Sequence, residues 1–117
     1  MSNYYLHLVS LQGCPYSKAA EELLTKNNYT MELTQITYDL KDNWKSEKIS
    51  TFPQIYFKKN GSSGSILIGG YDKMSQVHNI INSTTQNNIK ENANKLKNMY
   101  PEMSYKSCLR LMQLKKN

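Results

Sequence analysis

Cys14 is the residue of this sequence best placed to do covalent chemistry. It stands in Gly13-Cys14-Pro15, between a run that reads as a strand and a run that reads as a helix. The first backbone N–H groups of a helix have no intrahelical partner, and the helix dipole places partial positive charge at that end. A sulfur there is favoured as thiolate and is ready to act as a nucleophile. Lys18 adds positive charge one turn on, and no acid occurs between Met1 and Ala20. The plain alternative is a small residue at a turn, since cysteine is often buried and inert. The strand–Gly–Cys–Pro–helix placement favours the nucleophile.

Hydropathy patterning predicts the elements that must hold this sulfur. Residues 4–10 alternate and end in an apolar run, as a buried strand does. Pro15 suits the first turn of a helix, and Ala19, Ala20, Leu23 and Leu24 recur at helical spacing over 16–26 until Asn27-Asn28 stops the run. Residues 30–38 carry Met31, Leu33 and Ile36 in partial alternation, a second strand. A short lysine-rich helix is expected over 40–49, anchored by Trp44. Residues 51–57 form a strand opened by Pro53, where the missing N–H is tolerated. After a turn over 58–64, residues 65–68 return beside it as a hairpin. Gly69-Gly70 breaks the chain, and 71–81 reads as a helix with Met74, Val77, His78 and Ile81 on one face. The order βαβαββα gives an α/β fold with one four-stranded mixed sheet flanked by helices. A polar link over 84–88 leads to two further amphipathic segments, 89–100 and 105–114. The expected organisation is therefore a domain over 1–84 and a helical C-terminal extension over 85–117.

Composition narrows the functional classes. The 117 residues suffice for one hydrophobic core, and 38% hydrophobic with 21% charged residues argues against global disorder. No apolar run approaches the roughly 18 residues of a membrane span, so no membrane association is expected. The stretch from Met1 to Val9 lacks a basic start and reads as a strand rather than a signal peptide. Cys14 and Cys108 lie far apart, which suits a reducing compartment and a cytoplasmic location. The net charge of +6 is carried almost wholly by residues 85–117, which hold six lysines and Arg110 against Glu91 and Glu102. A lysine-rich amphipathic segment is usually a solvated face, and without clustered arginines nucleic-acid binding is not expected. Two histidines and two cysteines at these spacings match no zinc pattern, so no metal site is expected. His7 and His78 read as structural. Cys108 lies on an apolar stripe, where core packing is favoured over a role as a distant resolving thiol.

Three separated motifs then stand in order at element boundaries: Cys14-Pro15-Tyr16-Ser17, Thr51-Phe52-Pro53 and Gly69-Gly70-Tyr71-Asp72. Together they make residues 3–82 resemble the glutaredoxin family. The resemblance implies a thioredoxin-like fold and a glutathione-dependent thiol–disulfide oxidoreductase, with glutathione as co-substrate and glutathionylated proteins or small disulfides as partners. Cys14 would attack the sulfur of a glutathione mixed disulfide, and Tyr16 would flank the bound tripeptide. Phe52 would offer its backbone to the cysteinyl part in the manner of an added strand. Pro53 would be cis, turning the Phe52 carbonyl toward the site. Gly70, Tyr71 and Asp72 would receive the γ-glutamyl end at a helix N-terminus. Pro15, Ser17, Lys18, Thr51 and Gly69 would support these residues.

Departures from the family pattern shape the mechanism. Ser17 replaces the second cysteine of dithiol members, which leaves a monothiol route through Cys14 alone. Leu11 stands where a lysine usually precedes the nucleophile, with Lys41, Lys45 and Lys48 as candidates to replace its charge. Lys73 stands where a second acid often follows Asp72, and the segment before Thr51 is short. Two alternatives remain at this stage. One is an iron–sulfur cluster held by Cys14 from two chains, against which Pro15 counts because cluster-binding relatives carry a smaller residue there. The other is a non-catalytic adaptor that uses its basic tail. A monomer is expected. The segment 100–106 resembles short tail motifs of large DNA-virus proteins, and with the lysine and asparagine bias this implies an AT-rich, viral source.

Overall fold

The N-terminal apolar run forms strand β1 (Tyr4–Leu11), and Gly13, with φ of +82°, lets the chain turn at once into helix α1 (Pro15–Lys26). These are features of a computed structural model that describes residues 3–116. Met1 and Ser2, part of the strand-like N-terminal stretch, and Asn117 lie outside the described residues. Helix α1 starts on Pro15, whose fixed φ is preorganised for a first turn. It ends at Asn27-Asn28, where Asn28 takes the left-handed conformation that asparagine tolerates better than most residues.

Strand β2 (Met31–Ile36) pairs parallel to β1, with Leu8 opposite Leu33. Strand β3 (Gln54–Lys59) pairs antiparallel to β1, and β4 (Ser65–Gly69) pairs antiparallel to β3. The sheet order is β2-β1-β3-β4, the four-stranded mixed sheet expected. Helix α2 (Tyr71–Asn82) follows β4 and turns Met74, Val77 and Ile81 inward. Two more helices, α3 (Ile89–Met99) and α4 (Tyr105–Met112), form the C-terminal extension. No helix among the described residues is long and apolar enough to cross a membrane.

One hydrophobic cluster unites these parts. Leu6, Leu8, Ile55, Phe57 and Ile68 of the sheet meet Ala20 and Leu24 of α1, Met74 and Val77 of α2, and Ala93, Leu96, Cys108 and Leu111 of the extension. The extension is also hydrogen-bonded to the sheet domain. The buried Tyr100 hydroxyl donates to the Ile68 carbonyl at 2.7 Å, and the Thr30 N–H donates to the Leu114 carbonyl at 2.9 Å. Cys108 is fully buried within this cluster, and burial pushes its thiol pKa up.

The second helix of the sequence reading is corrected. Residues 40–49 do not form an α-helix; a 3-10 segment covers Tyr38–Trp44, and irregular chain leads to β3. None of the segment's residues is fully buried, so no apolar face drives the longer helix to form. Trp44 does act as its anchor. Its ring meets the His7 ring edge-on at 6.1 Å, and its carbonyl accepts the Gln54 side-chain amide at 2.7 Å. β3 begins at Gln54 rather than at Thr51, because residues 51–53 turn instead of pairing.

Candidate active site

Cys14 is the cap residue of α1, in extended conformation with φ −90° and ψ 118°. Its N–H donates to the Leu11 carbonyl, and its carbonyl accepts the Lys18 N–H, each at 3.1 Å. The residue is partly exposed. Its thiol faces the Phe52 carbonyl oxygen, with Sγ at 3.7 Å. The peptide bond between Phe52 and Pro53 is cis. Two motifs distant in sequence therefore meet at one sulfur atom.

A groove of about 440 Å³ opens beside this contact. Thr51, Phe52 and Pro53 line it from the loop before β3; Gly70, Tyr71 and Asp72 line it from the start of α2; Tyr16 lines it from α1. The Tyr16 and Tyr71 rings lie 6.3 Å apart, and Tyr16 is 63% exposed. Lys73 also lines the groove. The six residues expected around a bound tripeptide by resemblance, and the supporting Thr51, thus line one concavity beside the contact of Cys14 with Phe52. Asp72 lies in the first turn of α2 and is exposed, and its charge complements the helix N-terminus.

The supporting residues take different places. Pro15 and Lys18 line a separate cavity on the other flank of Cys14. Ser17 is fully buried, and its hydroxyl accepts the Leu11 N–H at 3.0 Å. It thereby satisfies the last amide of β1 rather than facing the groove. Gly69 has φ of +130°, and a Cβ added to it would lie 2.8 Å from Lys73 Cβ. The turn from β4 into α2 therefore requires a residue without a side chain.

Of the three lysines considered in place of Leu11, Lys41 lies over the Tyr38 ring at 3.6 Å and Lys45 pairs with Asp42 at 3.0 Å. Lys48 is exposed. His7 is buried, with Nε2 2.8 Å from Thr34 Oγ1, and burial with the nearby Lys58 charge lowers its pKa against a smaller opposing effect of Glu32. His78 Nδ1 lies 2.8 Å from the Tyr29 hydroxyl, with its pKa lowered by burial and by Lys115. Neither histidine lines a cavity at Cys14. Among the described residues no cluster of three or more His, Cys, Asp or Glu side chains is arranged to hold a metal ion.

Sequence reasoning missed the second cavity. Its volume is about 500 Å³, and its walls include Ser10, Glu21 and Gln35 beside Cys14. Ser10 Oγ donates to Glu21 Oε2 at 2.5 Å, and Gln35 Nε2 donates to Glu21 Oε1 at 3.3 Å. The available signal was Ser10, a polar residue in an apolar strand and almost fully buried. Glu21 follows directly on the acid-free stretch that framed Cys14, and only the turn of α1 brings it back to the same cavity.

Comparison with known proteins agrees with this architecture. Residues 6–61 match the glutaredoxin family model. Among solved structures the chain is similar to glutaredoxin 1 from Francisella tularensis, crystallised in complex with cacodylate. That likeness has 23% identity and a TM-score of 0.54, covering 69% of this chain and 99% of the other, and it speaks to the fold. No curated protein matches the chain. The matched segment contains Cys14 and the cis Phe52–Pro53 bond, whose Phe52 carbonyl meets the sulfur. Residues 6–61, which carry Cys14 and its cis-proline loop, are therefore the part of this chain that is similar to the glutaredoxin family.

Proposed function

We propose that this chain is a glutathione-dependent oxidoreductase that reduces mixed disulfides by a monothiol route through Cys14. The observation that carries the reading is the groove of Tyr16, Phe52, Pro53, Gly70, Tyr71 and Asp72 beside a sulfur 3.7 Å from the Phe52 carbonyl. A tripeptide lying in it would pair its cysteinyl backbone with Phe52, as an added strand does. Its γ-glutamyl carboxylate would meet the N-terminus of α2, and its ammonium would face Asp72. Lys73 at the same rim would add attraction for a carboxylate.

The chemistry is two thiolate exchanges. The Cys14 thiolate attacks the glutathione sulfur of a mixed disulfide; the Cys14–glutathione bond forms, the substrate's bond breaks, and the substrate leaves as a thiol. A second glutathione thiolate then attacks the mixed disulfide, giving glutathione disulfide and regenerating Cys14. Rate follows thiolate character and access, and a partly exposed Cys14 at the N-terminus of α1 serves both. Ser17 offers no second thiol in the motif. Cys108, in the core, is not placed to resolve Cys14.

Residues 1–84 would carry this chemistry, and residues 85–117 would complete the core beneath it. The reaction needs a glutathione-rich, reducing compartment such as the cytoplasm, and one chain supplies every residue named. A coupled assay with glutathione, glutathione reductase and a small glutathione mixed disulfide tests the proposal. Turnover by the natural chain and its loss in Cys14→Ser are expected; full turnover by Cys14→Ser would overturn it.

A further inference from the structure

The cavity on the other flank of Cys14 shares no lining residue with the groove, yet Cys14 forms part of its wall and touches Phe52 of the groove. Its chemical signature is Glu21. Both carboxylate oxygens are held, one by Ser10 Oγ and the other by Gln35 Nε2. Both donors are neutral, so they fix the carboxylate without cancelling its charge. Among the described residues the one ion pair is Lys45 with Asp42. Lys18 lines the same cavity and is exposed, but it forms no ion pair with Glu21. A partly buried, positioned anion without a counterion is complementary to a cation brought by a ligand. Because the carboxylate is already held, binding costs little further side-chain ordering.

Resting on the oxidoreductase reading above, we propose that this cavity selects protein substrates: it receives a lysine or arginine side chain close in sequence to the glutathionylated cysteine, with Glu21 as the specificity-determining residue. The reach is right. Glu21 lies seven residues along α1 from Cys14, an axial distance of roughly 10 Å. One residue step of 3.8 Å and an extended lysine stem of roughly 6 Å span it. Glutathione occupies the groove while the protein that carries it leans on the opposite flank. During the first exchange the bond from Cys14 to glutathione forms, the bond from substrate cysteine to glutathione breaks, and the substrate thiolate departs and is protonated by solvent. The cation at Glu21 holds the substrate through that step and takes no part in electron transfer.

The test uses the full chain and three substrates: the glutathione–mercaptoethanol mixed disulfide and two glutathionylated peptides that differ only in Lys or Glu next to the cysteine. The natural chain should prefer the Lys peptide by roughly fivefold in kcat/KM at low salt, with the preference shrinking as ionic strength rises. Within Glu21→Gln the two peptides should become equivalent, and within Glu21→Lys the order should reverse. Each ratio is taken inside one protein, so a general loss of stability or activity cancels. Turnover of all three substrates with no difference between the peptides, or a preference that survives Glu21→Gln, would overturn the inference and show the Ser10–Glu21–Gln35 cluster to be a structural tie alone. No turnover of any substrate, the mercaptoethanol disulfide included, would overturn the oxidoreductase reading and the inference with it.

Discussion

At the scale of single residues, the site depends on which groups hold the Cys14 sulfur and which merely hold the chain. The place of Gly13-Cys14-Pro15 at a helix start was legible because the reason is local: a turn glycine, a proline at N1 and unpaired amides. The meeting of Cys14 with Phe52 became legible only through family resemblance, since the residues lie 38 positions apart. In the sequence Ser17 stands out only as a missing thiol, while its positive role, closing the Leu11 amide, is hidden. Hydrogen bonds across a turn leave no periodic signal. Ser17→Ala should leave that buried N–H unpaired and cost about 1–3 kcal/mol in denaturant unfolding. An unchanged midpoint would show that the Leu11 amide finds another partner.

At the scale of elements, the strands and long helices followed from hydropathy because each buries one face in a shared cluster. The segment after β2 did not, for the opposite reason. It buries no residue fully, so its lysines and lone tryptophan carried no period strong enough to separate an α-helix from a 3-10 turn. The junction of β4 and α2 is the tightest in the site. Gly69→Ala should be strained by its φ of +130° and by contact with Lys73 Cβ. We expect a loss of about 1–3 kcal/mol in stability and, if the groove is the glutathione site, a raised KM for glutathione with Cys14 chemistry retained. Wild-type stability and KM in this variant would mean that the turn tolerates a side chain.

At the scale of the whole molecule, the helical extension is joined to the sheet rather than appended to it. Tyr100 spans the two through its bond to Ile68, and burial with the Glu102 charge pushes its hydroxyl pKa up to about 12. Tyr100→Phe should lower stability by about 1 kcal/mol while leaving the fold intact; no change in unfolding would contradict that role. Charge patterning marked the extension as basic, but composition could not show which of its apolar residues reach the sheet. Acid should weaken the whole assembly. His7 and His78 both have pKa values lowered in the folded state, so as pH falls through the ordinary imidazole value of about 6.5 the unfolded chain takes up protons first. The stability these neutral rings contribute is complete above that value and is lost as pH drops toward their folded values. Thermal unfolding should therefore occur at a lower temperature at about pH 5.5 than at about pH 7.5, and less so in a His7→Gln, His78→Gln double variant. Equal pH dependence in the two proteins would assign the effect to other groups.

The account stands most directly on where oxidised glutathione reacts. Mass spectrometry of the intact chain after exposure to glutathione disulfide, followed by peptide mapping, should find one glutathione per molecule, attached at Cys14, with Cys108 unmodified in its core. An adduct at Cys108 in the folded protein, or a Cys14 that stays unmodified, would contradict it.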